Sequence, residues 1–300
     1  MNGAGAAGDG QVMMGAMTSS APGRADVSAP RPVLSIRDAA LGYGDRLLWS
    51  GLTLDVPAGE FVAILGPNGS GKTSLLRAVL GTQPLTSGSI EILGEPVRRG
   101  HRSVGYVPQQ HLADRGTPLR ARDFLALGID GDRFGLPLPS ADRRRRVDAM
   151  LDTVHARAFA RTRIGSLSGG EQQRLRIGQA LIGDSRLLLC DEPLISLDLN
   201  QQRAVSDLID ASRRDQGRAV LMITHDVNPV LDMVDRVVYL ANGQALVGSV
   251  DDVFTSEVLS DLYRTPVEVV RARGRIIVVG LPDHAHEGHE HAPHHDGTEH

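Results

Sequence analysis

Short apolar runs recur along the chain after Pro32, and stretches with helical spacing separate them. The run Phe61–Leu65 is continuously apolar and ends in a glycine-rich turn, which is typical of a buried strand that leads into a helix. The other strand-like runs are Val33–Ile36, Leu52–Val56, Leu187–Cys190, Ala219–Ile223 and Arg236–Leu240. Strands that alternate with helices predict an α/β fold with a mainly parallel sheet at its core.

The texture of the sequence divides the chain into predicted segments. These are a disordered N-terminal tail rich in Gly, Ala, Ser and Pro (residues 1–32, with Met13, Met14 and Met17 as alternative starts), a main domain (33–250), a C-terminal extension (251–282) and a histidine-rich tail (283–300). Within the main domain, residues 117–184 are mostly helical, with a helix over Asp142–Arg157. In the extension, Val267–Val270 and Arg275–Val279 flank a turn and predict a β-hairpin.

The phosphate-binding candidate is the glycine-rich turn after the strand Phe61–Leu65. Its sequence is Gly66-Pro67-Asn68-Gly69-Ser70-Gly71-Lys72-Thr73, a full match to G-x-x-x-x-G-K-[ST], and the helical pattern Ser74–Leu80 follows it. Glycines let backbone N–H groups surround phosphate oxygens, and the helix N-terminus favours an anion. Lys72 would meet the β- and γ-phosphates, and the Thr73 hydroxyl would hold Mg²⁺.

An acidic pair ends another predicted strand. Leu187–Cys190 leads directly into Asp191 and Glu192, at the strand end where open α/β sheets bind ligands. Asp191 would hold Mg²⁺ through water, and Glu192 is a candidate general base for an attacking water. Solvated acids are common where strands leave a sheet, so it is the combination with the phosphate loop that predicts nucleotide hydrolysis.

Composition and charge indicate in which cellular environment this nucleotide hydrolysis would take place. The chain is 41% hydrophobic and 23% charged, as in ordinary globular proteins, and its net charge of −4 does not favour binding to nucleic acid. The single cysteine, Cys190, excludes an internal disulfide and suits a reducing cytoplasm. We find no apolar stretch of about 18 residues and no secretion signal, so a role at a membrane requires docking onto other subunits.

A third motif discriminates among nucleotide hydrolases. Leu167-Ser168-Gly169-Gly170-Glu171, followed by Gln172-Gln173-Arg174, resembles the signature sequence of ABC-type ATP-binding subunits, and the resemblance spans residues 33 to about 250. A helix that starts at Ser168 offers a second anion site, which the resemblance assigns to the phosphate loop of a partner chain. The implied assembly is a head-to-tail homodimer with ATP between the chains. The alternative is a helix start that acts only as a cap.

Further positions match this family residue by residue. Tyr43 resembles the aromatic residue that stacks on adenine, Gln109 the glutamine that touches Mg²⁺ and water, and His225 the histidine that contacts the γ-phosphate. Asp198, in Ser196-Leu197-Asp198, resembles the loop that crosses the dimer interface. Without this context, Tyr43 would be interpreted as a surface aromatic residue, Gln109 as a polar loop residue and His225 as a structural histidine. Glu171 departs from the commoner glutamine, and Leu194-Ile195-Ser196 departs from the small residue that often precedes Leu-Asp.

The resemblance implies fold, cofactors and partners together. It implies an ABC-type P-loop nucleotide-binding domain with a helical subdomain and an antiparallel β element. ATP and Mg²⁺ would bind to it, with Thr73, Gln109 and Asp191 near the metal and with Lys72, Gln109, Glu192 and His225 as the catalytic set. It further implies integral permease subunits, indirectly an extracellular substrate-binding protein, no nucleic acid, and a peripheral location on the cytoplasmic face of the cell membrane.

Two features bear on the transported substrate. The phrases Val104–Gln109, Thr224–Val230, Val234–Gly243 and Leu262–Val269 resemble the zinc- and manganese-uptake branch of the family. Seven of the eleven histidines lie in the C-terminal tail, where imidazole would favour zinc over manganese. They are His284, His286, His289, His291, His294, His295 and His300. The alternative is a solvated low-complexity tail with incidental metal affinity.

Other functions stay open at this point. The ATPase of a different ABC importer or exporter, for siderophores or drugs, uses the same motifs. A soluble ABC ATPase acting on ribosomes or DNA usually has two phosphate loops or a long coiled coil, whereas this chain has one loop and a short insert. The charge run Arg143–Arg146 fits a solvated helix face or a contact with the membrane subunit or with anionic lipid.

Overall fold

The computed structural model describes Met1 and residues 31–109, 117–130 and 140–280. The described strands are β1 (Leu34–Tyr43), β2 (Arg46–Val56), β3 (Phe61–Leu65), β4 (Ser87–Ile92), β5 (Glu95–Pro96), β6 (Val104–Val107), β7 (Leu187–Asp191), β8 (Ala219–Ile223), β9 (Arg236–Ala241), β10 (Gly243–Gly248), β11 (Val267–Ala272) and β12 (Arg275–Gly280). The described α-helices are α1 (Lys72–Val79), α2 (Ala121–Asp130), α3 (Ala141–Thr153), α4 (Gly169–Leu181), α5 (Leu199–Gln216), α6 (Val250–Val253) and α7 (Ser256–Tyr263).

A mixed sheet of ten strands forms the centre of the fold, in the order β5-β4-β1-β2-β10-β9-β3-β8-β7-β6. The strands β9, β3, β8, β7 and β6 pair in parallel. Strand β1 pairs antiparallel with β2 and β4. All residues of β3, β7 and β8 are buried, which explains their continuous apolar sequences, because packed layers cover both faces of a parallel sheet.

The predicted strands of the parallel core are confirmed, but β1 and β2 are longer than the strand-like runs Val33–Ile36 and Leu52–Val56 that predicted them. Strand β1 runs to Tyr43 rather than ending at Ile36, and β2 begins at Arg46 rather than at Leu52. Asp38 has a φ of 40° and Gly51 a φ of 69°. The β1–β2 register shifts at several points, and such bulges interrupt the regular side-chain pattern by which a strand is recognised in a sequence.

In the described part of the chain between β6 and β7, the helices α2, α3 and α4 share a small apolar core of their own. The α3 helix begins after Ser140, whose side chain accepts a hydrogen bond from the Arg143 backbone N–H at 3.4 Å. The helix prediction over Asp142–Arg157 is too long at its C-terminus. Helix α3 ends at Thr153 because His155 adopts a left-handed backbone with a φ of 52°, and Arg157 begins a separate 3-10 turn.

The arginine side chains of the charge run in α3 differ in their surroundings, since Arg146 packs against α4 and Arg145 is exposed to solvent. Arg146 donates to the Ile182 carbonyl at the C-terminal end of α4, at 2.7 Å, and lies 3.2 Å from Asp184. A cation there complements the negative end of the helix dipole. Arg145 forms an exposed ion pair with Asp142 at 3.0 Å. The run therefore contains one side chain that ties α3 to α4, and Arg145 matches the predicted solvated face.

The predicted hairpin at the C-terminus is confirmed as the pair β11–β12. Its two-residue turn is Arg273-Gly274, with φ values of 50° and 71°, which is the left-handed pair that a tight hairpin turn requires. Helices α6 and α7 precede it. The limits proposed for the main domain, the helical subdomain and the extension stay predictions. Apart from Met1, Arg31 and Pro32, the predicted N-terminal tail lies outside the described residues, as does the histidine-rich tail.

Candidate functional site

The glycine-rich loop 66–73 joins β3 to α1 at the carboxyl end of the parallel strands. Gly66 has a φ of 141°, and a Cβ at this position would lie 2.0 Å from the Leu240 carbonyl oxygen of β9. A Cβ on Gly71 would lie 2.9 Å from the Trp49 indole nitrogen. Only glycine fits these two approaches, so β9 and β2 fix the start and the end of the loop.

Lys72 lies inside the loop and is 6% exposed. Its ammonium Nζ donates to the carbonyl oxygens of Gly66 and Pro67, at 2.7 and 3.0 Å. Burial lowers the pKa of Lys72, while the carboxylates of Glu192 and Asp191 act in the opposite direction. A buried cation held by main-chain oxygens is a fixed positive charge at the point where the sequence predicts phosphate.

Asp191 ends β7 facing this loop and is 3% exposed. Burial raises the pKa of its carboxyl group, and the charge of Glu192 adds to the effect; Arg77, Thr73 and Lys72 oppose it. Asp191 Oδ1 and Ser70 Oγ are two of the six buried side-chain polar atoms of the described residues that have no hydrogen-bond partner. An unpaired buried oxygen carries a desolvation cost, so these two atoms fit a site built for Mg²⁺ and phosphate.

Glu192 brings two other predicted residues together. Its Oε2 accepts a hydrogen bond from Gln109 Nε2 at 2.8 Å, and its Oε1 lies 2.6 Å from His225 Nε2. The backbone of Glu192 is left-handed, with a φ of 49°, and its N–H donates to the Ile223 carbonyl at 3.1 Å. Left-handed backbone at a residue other than glycine costs about 1 kcal/mol and is concentrated at functional sites.

A cavity of about 410 Å³ opens over the loop, and Tyr43 and Glu192 are among its lining residues. Tyr43 is half exposed, and its hydroxyl lies 2.9 Å from Gln83 Oε1 and 3.3 Å from Ser74 Oγ. The Tyr43 ring therefore lies at the opening of the cavity, and contacts with Gln83 and Ser74 hold its hydroxyl group in place. This placement suits stacking on a base whose phosphates enter the loop.

The signature motif forms the N-terminus of α4. Ser168 Oγ accepts from the Glu171 backbone N–H at 3.4 Å, and Glu171 Oε2 accepts from the Ser168 backbone N–H and hydroxyl, both at 2.8 Å. This reciprocal capping box stabilises the helix start. Gly170 fits tightly against α5, because a Cβ there would lie 2.6 Å from Gln201 Oε1. The motif thus acts as the predicted cap and also presents an exposed helix N-terminus.

Asp198 caps the neighbouring helix α5, where its Oδ1 accepts from the Gln201 backbone N–H at 2.8 Å. Ser196, just before it, has a φ of 61°. Gln201 therefore contacts both the interface loop and the signature glycine. Among the described residues, Ser168 and Asp198 do not line the cavity. The chain assembles the phosphate loop, the acids, Gln109 and His225 in one place, and the signature and interface loops in another.

Sequence reasoning missed residues of β2 beside the phosphate loop, where Arg46 and Leu48 line the cavity and Trp49 contacts the loop from the buried side. The Arg46 guanidinium Nη2 is 3.7 Å from the position of a Cβ on Gly69. Trp49, the only tryptophan in the chain, is fully buried and donates from its indole N–H to the Gly71 carbonyl at 3.4 Å. Arg46 and Trp49 belong to β2, and no sequence motif covers the first residues of this strand. A lone tryptophan at the start of a strand was the available signal.

A sheet with a parallel core, a glycine-rich phosphate loop, a buried cation and an acidic strand end together define a P-loop nucleotide-binding protein. Comparison with known proteins narrows this class. The family model described as ABC transporter matches residues 49–195. The zinc transport system ATP-binding protein TroB of Treponema pallidum is 32% identical over 240 residues, which cover 80% of this chain and 90% of that protein. The chain belongs to the ABC transporter family as an ATP-binding subunit, and it is an ATPase.

Other similar proteins agree with this assignment. The manganese transport system ATP-binding protein MntB of Halalkalibacterium halodurans is 28% identical over 250 residues, which cover 83% of this chain and 99% of that protein. A solved structure described as a metal-chelate type ABC transporter in an inward-facing conformation has a TM-score of 0.69 and 26% identity, and covers 84% of this chain and 98% of that chain. The predicted fold class is confirmed. No helix in the described ranges is long and apolar enough to cross a membrane.

A further solved structure bears on assembly. It is a dimeric ATP-binding cassette in a post-hydrolysis state bound to ADP and phosphate, with a TM-score of 0.62 and 25% identity, covering 72% of this chain and 98% of that chain. ATP-binding subunits of this family dimerise, bind ATP with Mg²⁺ and work with membrane permeases. The spatial separation of the two half-sites in our chain fits such an arrangement.

Proposed function

We propose that this ATPase powers the import of zinc or manganese through separate membrane permease subunits. The observation that carries the proposal is the ATP site, which joins Lys72, Asp191 and the Gln109–Glu192–His225 cluster, in a chain whose similar proteins are named for zinc and manganese transport. In this proposal the subunit works as a homodimer on the cytoplasmic face of the cell membrane, and an extracellular substrate-binding protein acts through the permease.

The proposed ligands of the nucleotide are the groups gathered around the phosphate loop. Lys72 would give up its bonds to the Gly66 and Pro67 carbonyls in part and meet the β- and γ-phosphates. The Thr73 hydroxyl, Gln109 and Asp191 would hold Mg²⁺, which when bound would neutralise charge on the phosphate oxygens. The unpaired Asp191 Oδ1 supports this role, because binding would satisfy an oxygen that is buried without a partner among the described residues.

Hydrolysis would use the cluster around Glu192. An attacking water gives a proton to the Glu192 carboxylate as its oxygen bonds to the γ-phosphorus, and the bond from that phosphorus to the bridging oxygen breaks. Gln109 and His225 hold the two carboxylate oxygens at 2.8 and 2.6 Å, which fixes the direction of the general base. Their role would be positioning and charge stabilisation of the water and the γ-phosphate.

The exposed half-site would serve the partner chain. Ser168 and the N–H groups of Gly169 and Gly170 begin α4, and Asp198 holds the interface loop beside them. In the proposed dimer, each signature start meets the γ-phosphate bound by the other chain, so ATP closes the dimer and its hydrolysis opens it. The tight contact between Gly170 and Gln201 would carry that movement to α5.

We favour zinc over manganese as the substrate because of the histidine-rich tail. The tail lies outside the described residues, so its composition alone supports the argument. Imidazole is a strong ligand for zinc, whereas manganese prefers carboxylate and water. The tail would buffer or sense the metal ion, with His284, His286, His289, His291, His294 and His295 as its proposed ligands, while the transport path itself lies in the permease.

The test is the metal content of cells that lack this gene. Such cells are grown with a chelator, zinc and manganese are added back separately, and intracellular metals are measured by mass spectrometry. We expect a zinc deficit that the wild-type gene restores and Lys72→Ala does not. Arg37→Gln, which removes an exposed ion pair with Asp55 and a hydrogen bond to the Ile36 carbonyl, is the matched control and should restore it. Unchanged metal contents would overturn the import of zinc or manganese while leaving the ATPase assignment intact.

A further inference from the structure

The side-chain amide of Asn228 joins the C-terminal hairpin to the main domain. Asn228 Nδ2 donates to the Ile276 carbonyl at 2.9 Å, and the Ile276 backbone N–H donates to Asn228 Oδ1 at 2.8 Å. The amide therefore satisfies both polar groups of one residue in β12, as a neighbouring strand would do. Ile276 is buried in the core formed on one face of the sheet, so this junction is held by packing as well.

The same asparagine organises the segment that carries His225. Asp226 Oδ1 accepts from the Asn228 backbone N–H at 2.9 Å and from its side-chain amide at 2.7 Å. Thr224 Oγ1 donates to the Asp226 carbonyl at 2.6 Å. His225 thus lies between two residues that are tied together by short hydrogen bonds. Its own side chain is 46% exposed and contacts Glu192 through Nε2 at 2.6 Å, so the backbone of the segment 224–228 has a large part in placing the imidazole.

The hairpin is held at its other strand by helix α7. The Val267 and Val269 backbone N–H groups donate to the hydroxyls of Ser260 and Ser256, both at 2.9 Å. Arg271 forms an exposed ion pair with Asp251 in α6 at 2.6 Å. The hairpin is consequently a brace between α7 and the segment 224–228, and Asn228 is its attachment to that segment.

We propose that Asn228 is a positioning residue for His225, and that the hairpin β11–β12 sets the rate of ATP hydrolysis through this attachment. The inference rests on the proposed role of His225 in hydrolysis. Release of Ile276 frees the amide of Asn228, loosens the segment 224–228 and lets the imidazole move away from Glu192. Misplacement of a catalytic group by about 1 Å costs up to about a hundredfold in rate.

The experiment measures steady-state hydrolysis by the full-length chain. We expect Asn228→Ala to lower kcat about tenfold, with the KM for ATP changed less than about twofold, because the phosphate loop is untouched. The matched control is Arg271→Gln, which releases the hairpin from α6 but leaves Asn228 in place, and it should keep the wild-type kcat. Thermal unfolding of both variants checks that each is folded at the assay temperature.

A double variant separates positioning from a general loss of structure. If Asn228 acts through His225, adding Asn228→Ala to His225→Ala should lower kcat no further, because coupled residues are not additive. A further tenfold loss in the double variant would overturn the inference, as would a wild-type kcat for Asn228→Ala when His225→Ala is impaired. A wild-type kcat for His225→Ala would instead remove the proposed role of the histidine on which the inference depends.

Discussion

The two functional regions of this chain differ in how much of a site each one completes. Around the phosphate loop, Lys72 and Asp191 are buried, and Glu192 is bonded to Gln109 and His225. Around the signature, Ser168 and Asp198 are exposed and bond only to their own helix starts in the contacts described above. The first region contains cation, acids and base together, whereas the second combines an exposed helix N-terminus with the capping carboxylates of Glu171 and Asp198.

This difference indicates which part of the proposed two-chain site each chain supplies. Folding alone assembles the first region, because the strands β3, β7 and β8 bring its residues to one edge of the sheet. In the proposed dimer, the second region meets a phosphate that the partner chain binds, because Ser168 and Asp198 are not among the residues that line the cavity over the phosphate loop. Substitutions in the first region should therefore affect the chemical step, and those in the second should affect dimer formation.

The largest effect is expected for Glu192→Gln. Glutamine keeps the size of the side chain but cannot accept a proton from water, so we expect kcat to fall about a thousandfold with ATP affinity retained. The trapped state should elute as a dimer in saturating Mg-ATP, and light scattering during elution measures this. Lys72→Ala is the contrasting variant, because it should lose ATP affinity and stay monomeric. A monomeric Glu192→Gln in Mg-ATP would count against the two-chain site.

A smaller effect is expected for Ser168→Ala in the second region. The variant should bind ATP as the wild type does but fail to close the dimer, and kcat should fall about tenfold to a hundredfold. The change also removes a helix cap, which costs about 1 kcal/mol. Ser249→Ala removes the same reciprocal cap from α6, outside the site, and serves as the control for stability. Equal losses of activity in both variants would reduce Ser168 to a cap.

The sequence predicts the first region better than its surroundings, for a local reason. The phosphate loop and the acidic pair are each a single run of consecutive residues, and buried strands such as β3 are uninterrupted apolar runs. The lengths of β1 and β2 were underestimated because positive-φ residues such as Asp38 interrupt the alternation of their side chains. Bulges depend on pairing between strands, which a single run of sequence does not record.

The contacts that sequence reasoning missed all join distant parts of the chain. Trp49 reaches Gly71, 22 positions away, and Asn228 reaches Ile276, 48 positions away. Neither residue type indicates a functional role from the sequence alone, because a buried tryptophan and a loop asparagine are ordinary features of proteins. The tertiary fold brings Trp49 to the phosphate loop and Asn228 to the hairpin, and the distances in the structure identify these contacts.

Arg46→Ala tests whether the missed arginine of the cavity belongs to the first region. Its guanidinium beside Gly69 should interact with the phosphates or ribose of ATP, so we expect the KM for ATP to rise about threefold to tenfold with kcat nearly unchanged. The affinity for ADP should fall in parallel, as measured by titration calorimetry. Arg37→Ala, on the neighbouring strand, is the control. An unchanged KM for Arg46→Ala would place the side chain outside the nucleotide contacts.

The smallest expected effect distinguishes charge from shape in the second region. Glu171 places a carboxylate against the Ser168 hydroxyl that the proposed dimer turns toward phosphate, so its charge opposes that approach. Glutamine can keep the accepting oxygen of the cap, and Glu171→Gln should lower the ATP concentration for half-maximal dimer formation about twofold to threefold, most clearly at low salt. Asp252→Asn, in the matching cap of Ser249, should leave dimer formation unchanged. A weaker dimer for Glu171→Gln would mean that the carboxylate helps to hold Ser168 in place more than it repels the phosphate.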